Sequence, residues 1–239
     1  MYAQPKKTAD FLQVGELLLH VETFGDKEHM PILLVAGNSA PGIIWPTKFC
    51  NRLVMLGFFV VRYDLRDTGL SSFVDYEDSP YTLTDVARDA FGIWSELNID
   101  RVHIIGLSQG GLLACLMATT KPERIISLTF MMSSLRFWSK SLAFPWQKKS
   151  YGNLPPPALE YVKKILFLDA SSCSGHTDIP REFVEAFRLA KGPNSPFDEK
   201  FRLSLGKEIA NLPEQRANNL HLILLMVLVI KKHNSQRQS

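Results

Sequence analysis

The stretch Val102-His-Ile-Ile-Gly-Leu-Ser-Gln-Gly-Gly111 decides the reading of this chain. Val102 to Ile105 predicts a short strand, and Gly110 to Thr120 a helix of small residues that stops before Pro122. Between them, Gly106-Leu-Ser108-Gln-Gly110 has the spacing G-x-S-x-G, in which a strand turns sharply into a helix with serine at the apex. The flanking positions must be glycine because side chains there would collide. Ser108 would then stand at a helix N-terminus, where free N–H groups and the helix dipole favour developing negative charge. The backbone N–H of Gln109 is expected to point at an oxyanion, which makes the pattern that of a nucleophile elbow.

Outward from this motif, other apolar runs share its strand-then-helix context. Pro31–Ala36 ends at Gly37-Asn38-Ser39, Phe58–Tyr63 ends at Asp64, and Ile125–Met131 lies beyond the helix that follows the elbow. Consecutive apolar positions of this length suit strands buried on both faces of a parallel sheet. Trp45–Leu56 and Thr82–Leu97 carry helical spacing between them, the second with Thr84 as a candidate cap. Strand and helix alternate from residue 31 to 131, which predicts right-handed crossovers and an α/β, doubly wound, mostly parallel sheet. Before it, Phe11–Val14 and Leu17–Phe24 read as a hairpin around Gly15-Glu16.

An oxyanion hole needs a second N–H, and the turn after the Ile32–Val35 strand is placed to supply it. Asn38 is the candidate donor there. The segment Tyr63-Asp-Leu-Arg-Asp-Thr-Gly-Leu-Ser-Ser72 follows a strand, and its charges are expected to brace a loop under the site, with Arg66 paired to Asp64 or Asp67.

Composition narrows the rest. With 239 residues, 46% apolar and 21% charged, the chain has enough material for one large domain or one domain with an insertion. The balance of 27 basic against 24 acidic residues is small and scattered, so nucleic acid is not expected as a partner. Three cysteines, Cys50, Cys115 and Cys173, form neither a disulfide framework nor a paired metal motif. Met1–Lys7 lacks the apolar core of a signal peptide. The longest apolar run, Leu222–Ile230, is far short of the 20 or so residues of a membrane span. A cytoplasmic protein without metal or organic cofactor is the expectation.

Together these residues resemble the α/β-hydrolase superfamily, and Leu33–Ser134 is similar to the esterase branch typified by aclacinomycin methylesterase. The resemblance rests on Leu-Leu-Val-Ala-Gly-Asn with Trp45-Pro46 after it, on Arg62-Tyr-Asp-Leu-Arg-Asp-Thr-Gly69, and on the elbow itself. It implies Ser108 as nucleophile, Asn38 and Gln109 as backbone donors to the oxyanion, and Gly106 and Gly110 as supports of the elbow. It implies a small ester-like substrate, and three parts: a core over 1–134, a helical cap over 135–219, and a remnant strand with a polar tail over 220–239.

In that family the triad continues from the serine to an acid after the next strand and then a histidine. Here Leu222–Ile230 occupies the place of that strand, and Lys231–Ser239 holds neither Asp nor Glu. On this reading the fold is truncated at its C-terminal edge. Of the six histidines, His20 and His103 sit on strands, His29 in a loop, and His176, His221 and His233 in the later part. Two readings stay open: a serine hydrolase of carboxylic (methyl) esters acting through Ser108 and an oxyanion hole, or a truncated or degenerate, catalytically impaired relative that binds at most a small ligand.

Overall fold

The computed structural model describes residues 6–38, 40–133, 178–191 and 194–212. They fall in two compact units, residues 6–133 in one and 178–212 in the other.

The first unit is built on six strands: β1 (Lys7–Val14), β2 (Leu17–Phe24), β3 (Met30–Val35), β4 (Phe58–Tyr63), β5 (Val102–Leu107) and β6 (Ile125–Met131). Their spatial order is β1-β2-β4-β3-β5-β6. The pairs β1/β2 and β2/β4 are antiparallel, while β4, β3, β5 and β6 run parallel. The hairpin turns at Gly15-Glu16 as its sequence implies, with Gly15 at φ +60. The parallel strands match the expected runs, and β5 extends two residues past Ile105 to reach the serine.

Helix α1 (Thr47–Met55) covers one face of the sheet. There Phe24, Ile32, Leu34, Trp45, Cys50 and Val60 form a core with Phe49, Leu53 and Phe58 packed against it. The adjacent positions Leu33, Val35, Val61 and Ile104 point to the other face and are fully buried. This alternation is what a sheet covered on both sides requires. Helices α2 (Leu83–Glu96) and α3 (Gln109–Thr120) pack on each other and on the strands.

One cap differs from expectation. Thr82, not Thr84, begins α2: its hydroxyl accepts from the Asp85 N–H at 3.3 Å, and the Asp85 carboxylate accepts the Thr82 N–H at 2.8 Å. Asp85 three residues after Thr82 closes a reciprocal capping box, which Thr84 has no acid at the right distance to form.

The second unit contains α4 (Ile179–Ala190) and α5 (Glu199–Ala210), each opened by an aspartate cap, Asp178 and Asp198. Gly206 of α5 lies where a Cβ would come within 2.8 Å of Pro180. The expected boundaries at 134/135 and 219/220 and the run Leu222–Ile230 lie outside the described residues.

Candidate active site

Ser108 joins the last residue of β5 to the first of α3, and its backbone stands at φ +52, ψ −116. A non-glycine residue rarely occupies this region, and such strain persists only where the surroundings over-determine it. The constraints are visible. The Ser108 N–H donates to the Met131 carbonyl at the end of β6, 2.8 Å away, and the Ser108 carbonyl accepts from the Gly111 N–H at 3.0 Å.

The glycines around it are required by crowding. A Cβ on Gly106 would lie 2.5 Å from the Gly111 nitrogen, and one on Gly110 would lie 2.5 Å from the Ala36 carbonyl oxygen. Gly111 faces Ser133 in the same way, with a Cβ falling 2.6 Å from the serine Cβ. Helix α3 is thus pressed against the ends of β3 and β6, with Ser108 held between the two crowded glycines Gly106 and Gly110.

The turn after β3 is drawn to the same place. A Cβ on Gly37 would stand 3.3 Å from the Leu107 carbonyl and 3.4 Å from the Ser108 Cβ, so the backbone entering Asn38 passes directly over the elbow. Gln109, at N1 of α3, is 2% exposed. Its N–H belongs to the first turn of a helix, where backbone donors have no carbonyl within the helix. The side chains of both residues also carry a buried polar atom without a partner among the described residues, Asn38 Oδ1 and Gln109 Nε2.

Beside the elbow, the loop after β4 is braced by charge, with partners other than those expected. Arg66 pairs neither with Asp64 nor with Asp67. It grips Asp89 of α2 with two bonds, Nε to Oδ2 at 2.7 Å and Nη2 to Oδ1 at 2.6 Å, and lies over the Tyr81 ring at 4.7 Å. Asp67 is turned away by its φ of +62 and accepts from the Val74 N–H at 2.6 Å and from the Tyr81 hydroxyl. The Asp64 carboxylate is filled by backbone donors, Gly42 N–H at 2.5 Å and Leu70 N–H at 2.9 Å, with His20 Nδ1 at 3.0 Å. Nothing in the residue types distinguishes Asp64, Asp67 and Asp89 as partners. Only the backbone path does.

A second buried cation closes the same end of the sheet. Arg62, 2% exposed, donates to Glu22 at 2.5 Å and to the Trp45 carbonyl, and lies 5.1 Å from the Phe24 ring centroid. Burial pushes Glu22 upward, but its bonds to Arg62 and Lys7 outweigh that and hold its pKa below 4.5.

The described histidines do not serve Ser108. His103 lies five residues before it on β5, about 16 Å along the strand, with Nδ1 2.8 Å from the Ser127 hydroxyl. His20 is on β2, three strands from β5 and so about 14 Å to the side. His29 is exposed in the β2–β3 loop. His176, His221 and His233 lie outside the described residues.

No helix among the described residues is long and apolar enough to cross a membrane. The chain is 33% identical over 191 residues to the rhodomycin D methylesterase DauP of Streptomyces sp. (strain C5). It is 34% identical over 191 residues to the rhodomycin D methylesterase DnrP of Streptomyces peucetius. Each match covers 78% of this chain and 64% of the relative, so the chain spans less than two thirds of the length of these proteins. In fold it is similar to the 2-hydroxy-6-oxo-6-phenylhexa-2,4-dienoate hydrolase of Rhodococcus sp. strain RHA1, with a TM-score of 0.63 at 20% identity, over 90% of this chain and 71% of that one. The family model of the alpha/beta hydrolase fold matches residues 31–163, which include the elbow, the turn at Asn38 and the braced loop between them, and the chain belongs to that family.

Proposed function

We propose that this chain carries the nucleophile and oxyanion hole of a serine hydrolase acting on carboxylic esters. The observation that supports it most is the backbone of Ser108, a non-glycine residue at φ +52 where a parallel strand meets a helix N-terminus. Strain of this kind at a polar residue is a cost that a plain turn has no use for.

In this reading the Ser108 Oγ attacks the acyl carbon while the N–H groups of Asn38 and Gln109 take the charge that develops on the carbonyl oxygen. The alcohol leaves with a proton, and water then cleaves the acyl-serine to release the acid. The likeness to two rhodomycin D methylesterases supports a methyl ester as substrate, with methanol as the leaving alcohol. A general base is needed to take the Ser108 proton, and His20 and His103 stand too far from it. In a second reading no base reaches Ser108, and these residues bind an ester-like ligand without turnover.

One experiment separates them. The purified chain is treated with a fluorophosphonate probe and assayed with a short-chain nitrophenyl ester, beside Ser108→Ala. Labelling and turnover that both depend on Ser108 support the hydrolase. Retained ligand binding with neither signal supports the second reading and overturns the first.

A further inference from the structure

We infer that Asp64 is a positioning residue for the oxyanion-binding turn, an assignment that rests on the hydrolase reading of Ser108. Asp64 follows β4 and is 4% exposed. Two of its carboxylate bonds go to backbone donors on different loops. Oδ1 accepts the Gly42 N–H at 2.5 Å, and Oδ2 accepts the Leu70 N–H at 2.9 Å while standing 3.0 Å from His20 Nδ1.

The carboxylate is itself fixed. The Asp64 N–H donates to the His20 carbonyl at 3.0 Å, and the Asp64 carbonyl accepts from the Ser71 hydroxyl at 2.7 Å. Two glycines clear space for it. A Cβ on Gly42 would lie 2.7 Å from the Tyr63 carbonyl oxygen and 3.2 Å from Asp64 Oδ1, and one on Gly69 would lie 2.8 Å from that same oxygen.

Gly42 is four residues past Asn38 in the loop between β3 and α1. The near end of that loop is set by Gly37 against Leu107 and Ser108, and the Ala40 N–H folds back onto the Gly37 carbonyl at 3.3 Å. The far end is held by Arg62 on the Trp45 carbonyl. Asp64 therefore anchors the middle of the segment that presents the Asn38 N–H. It does so from β4, two strands and about 10 Å from the elbow, so it acts through the loop and not on the reacting atoms. An oxyanion donor must meet the developing charge at about 3 Å, and a misplacement of about 1 Å costs roughly a hundredfold in rate.

The two N–H groups need two acceptor oxygens. Asparagine has one, so Asp64→Asn keeps one anchor and turns an amide N–H₂ toward the other donor, while Asp64→Ala removes both. The test compares the two variants with the wild-type chain by amide hydrogen exchange and by the rate of Ser108 phosphonylation. In the latter an O–P bond forms, fluoride leaves and the hydroxyl proton goes to solvent. Rates are expressed per mole of folded protein. The expected result is at least tenfold faster exchange at Ala40 and Gly42 in Asp64→Ala, an intermediate change in Asp64→Asn, and no change at Ile104 in β5. The maximal phosphonylation rate falls tenfold or more, with the half-saturating probe concentration unchanged. Should Asp64→Ala not fold, Asp64→Asn carries both measurements.

Wild-type exchange at Ala40 in the variants overturns the assignment. So does a wild-type phosphonylation rate in the folded fraction accompanied only by a lower melting temperature, which is what a purely structural role produces. If the wild-type chain is not labelled at Ser108, it is the hydrolase reading that fails, and the exchange at Ala40 still decides whether Asp64 holds the turn.

Discussion

Arg66 and Asp89 form a two-pronged ion pair that ties the loop after β4 to the middle of α2, with side chains only 12% and 6% exposed. The two bonds offset only part of the cost of burying Asp89, and that burial still raises its pKa against the pull of Arg66. Removing the cation alone leaves a carboxylate in the interior. Arg66→Ala is therefore expected to lower the unfolding free energy by about 3–5 kcal/mol. Arg66→Ala with Asp89→Ala should cost less than the sum of the two single changes. Urea denaturation at pH 7 measures all three.

Glu22 makes stability depend on acid. Its folded pKa is lowered from the ordinary 4.5, so between the lowered value and 4.5 the unfolded chain binds more protons than the folded chain. The stabilisation it provides is present above pH 4.5 and is lost as the pH falls through the depressed value. Glu22→Gln is expected to be less stable than the wild type at pH 7, because Arg62 loses its charged partner. The difference should shrink as the pH is taken from 5 to 3, and a constant difference in melting temperature over that range would contradict it.

The glycines of the elbow and the hairpin answer to different causes. Gly15 stands at φ +60 with open space around it, so Gly15→Ala should cost about 1–2 kcal/mol from backbone conformation alone. At Gly110 the added methyl meets backbone carbonyls that cannot turn aside, as it meets backbone atoms at Gly106. Gly106→Ala and Gly110→Ala should each cost more than Gly15→Ala, with a visible loss of soluble protein. Melting temperatures of the three variants test the order.

Gln109 buries an amide nitrogen with no partner among the described residues, and an unsatisfied buried donor costs about 1–3 kcal/mol. Gln109→Met keeps the volume and the backbone N–H while removing that donor. We expect it to be as stable as the wild type or more so, with Ser108 labelling retained. A fall in labelling at unchanged stability would instead assign the side chain a part in binding.

Much of this was legible in the chain itself. Largely apolar runs of four to seven residues, ended by turn residues such as Gly37-Asn38 and Gly106, suit strands of a covered sheet, and their alternation with helical spacing points to parallel crossovers. The elbow was legible for a similar reason: Gly106, Ser108 and Gly110 answer to one local collision, between a strand end and the first turn of the next helix. The cap of α2 falls two residues before the expected Thr84 because Thr82 has an acid, Asp85, three residues on, where Thr84 has Ala87.

What only the tertiary structure decided was which groups meet across long separations. Arg66 had two aspartates within two residues, yet its partner is Asp89, 23 positions away, because α2 crosses behind the loop and the turn at Asp67 faces elsewhere. Asp64 looked like a charge to be paired with a cation and instead receives two backbone N–H groups from separate loops. Local patterns report the conformation that each short stretch prefers. Partner choice for a buried charge depends on which donors or acceptors the folded chain brings within about 3 Å, and that is a property of the tertiary fold, not of any one segment.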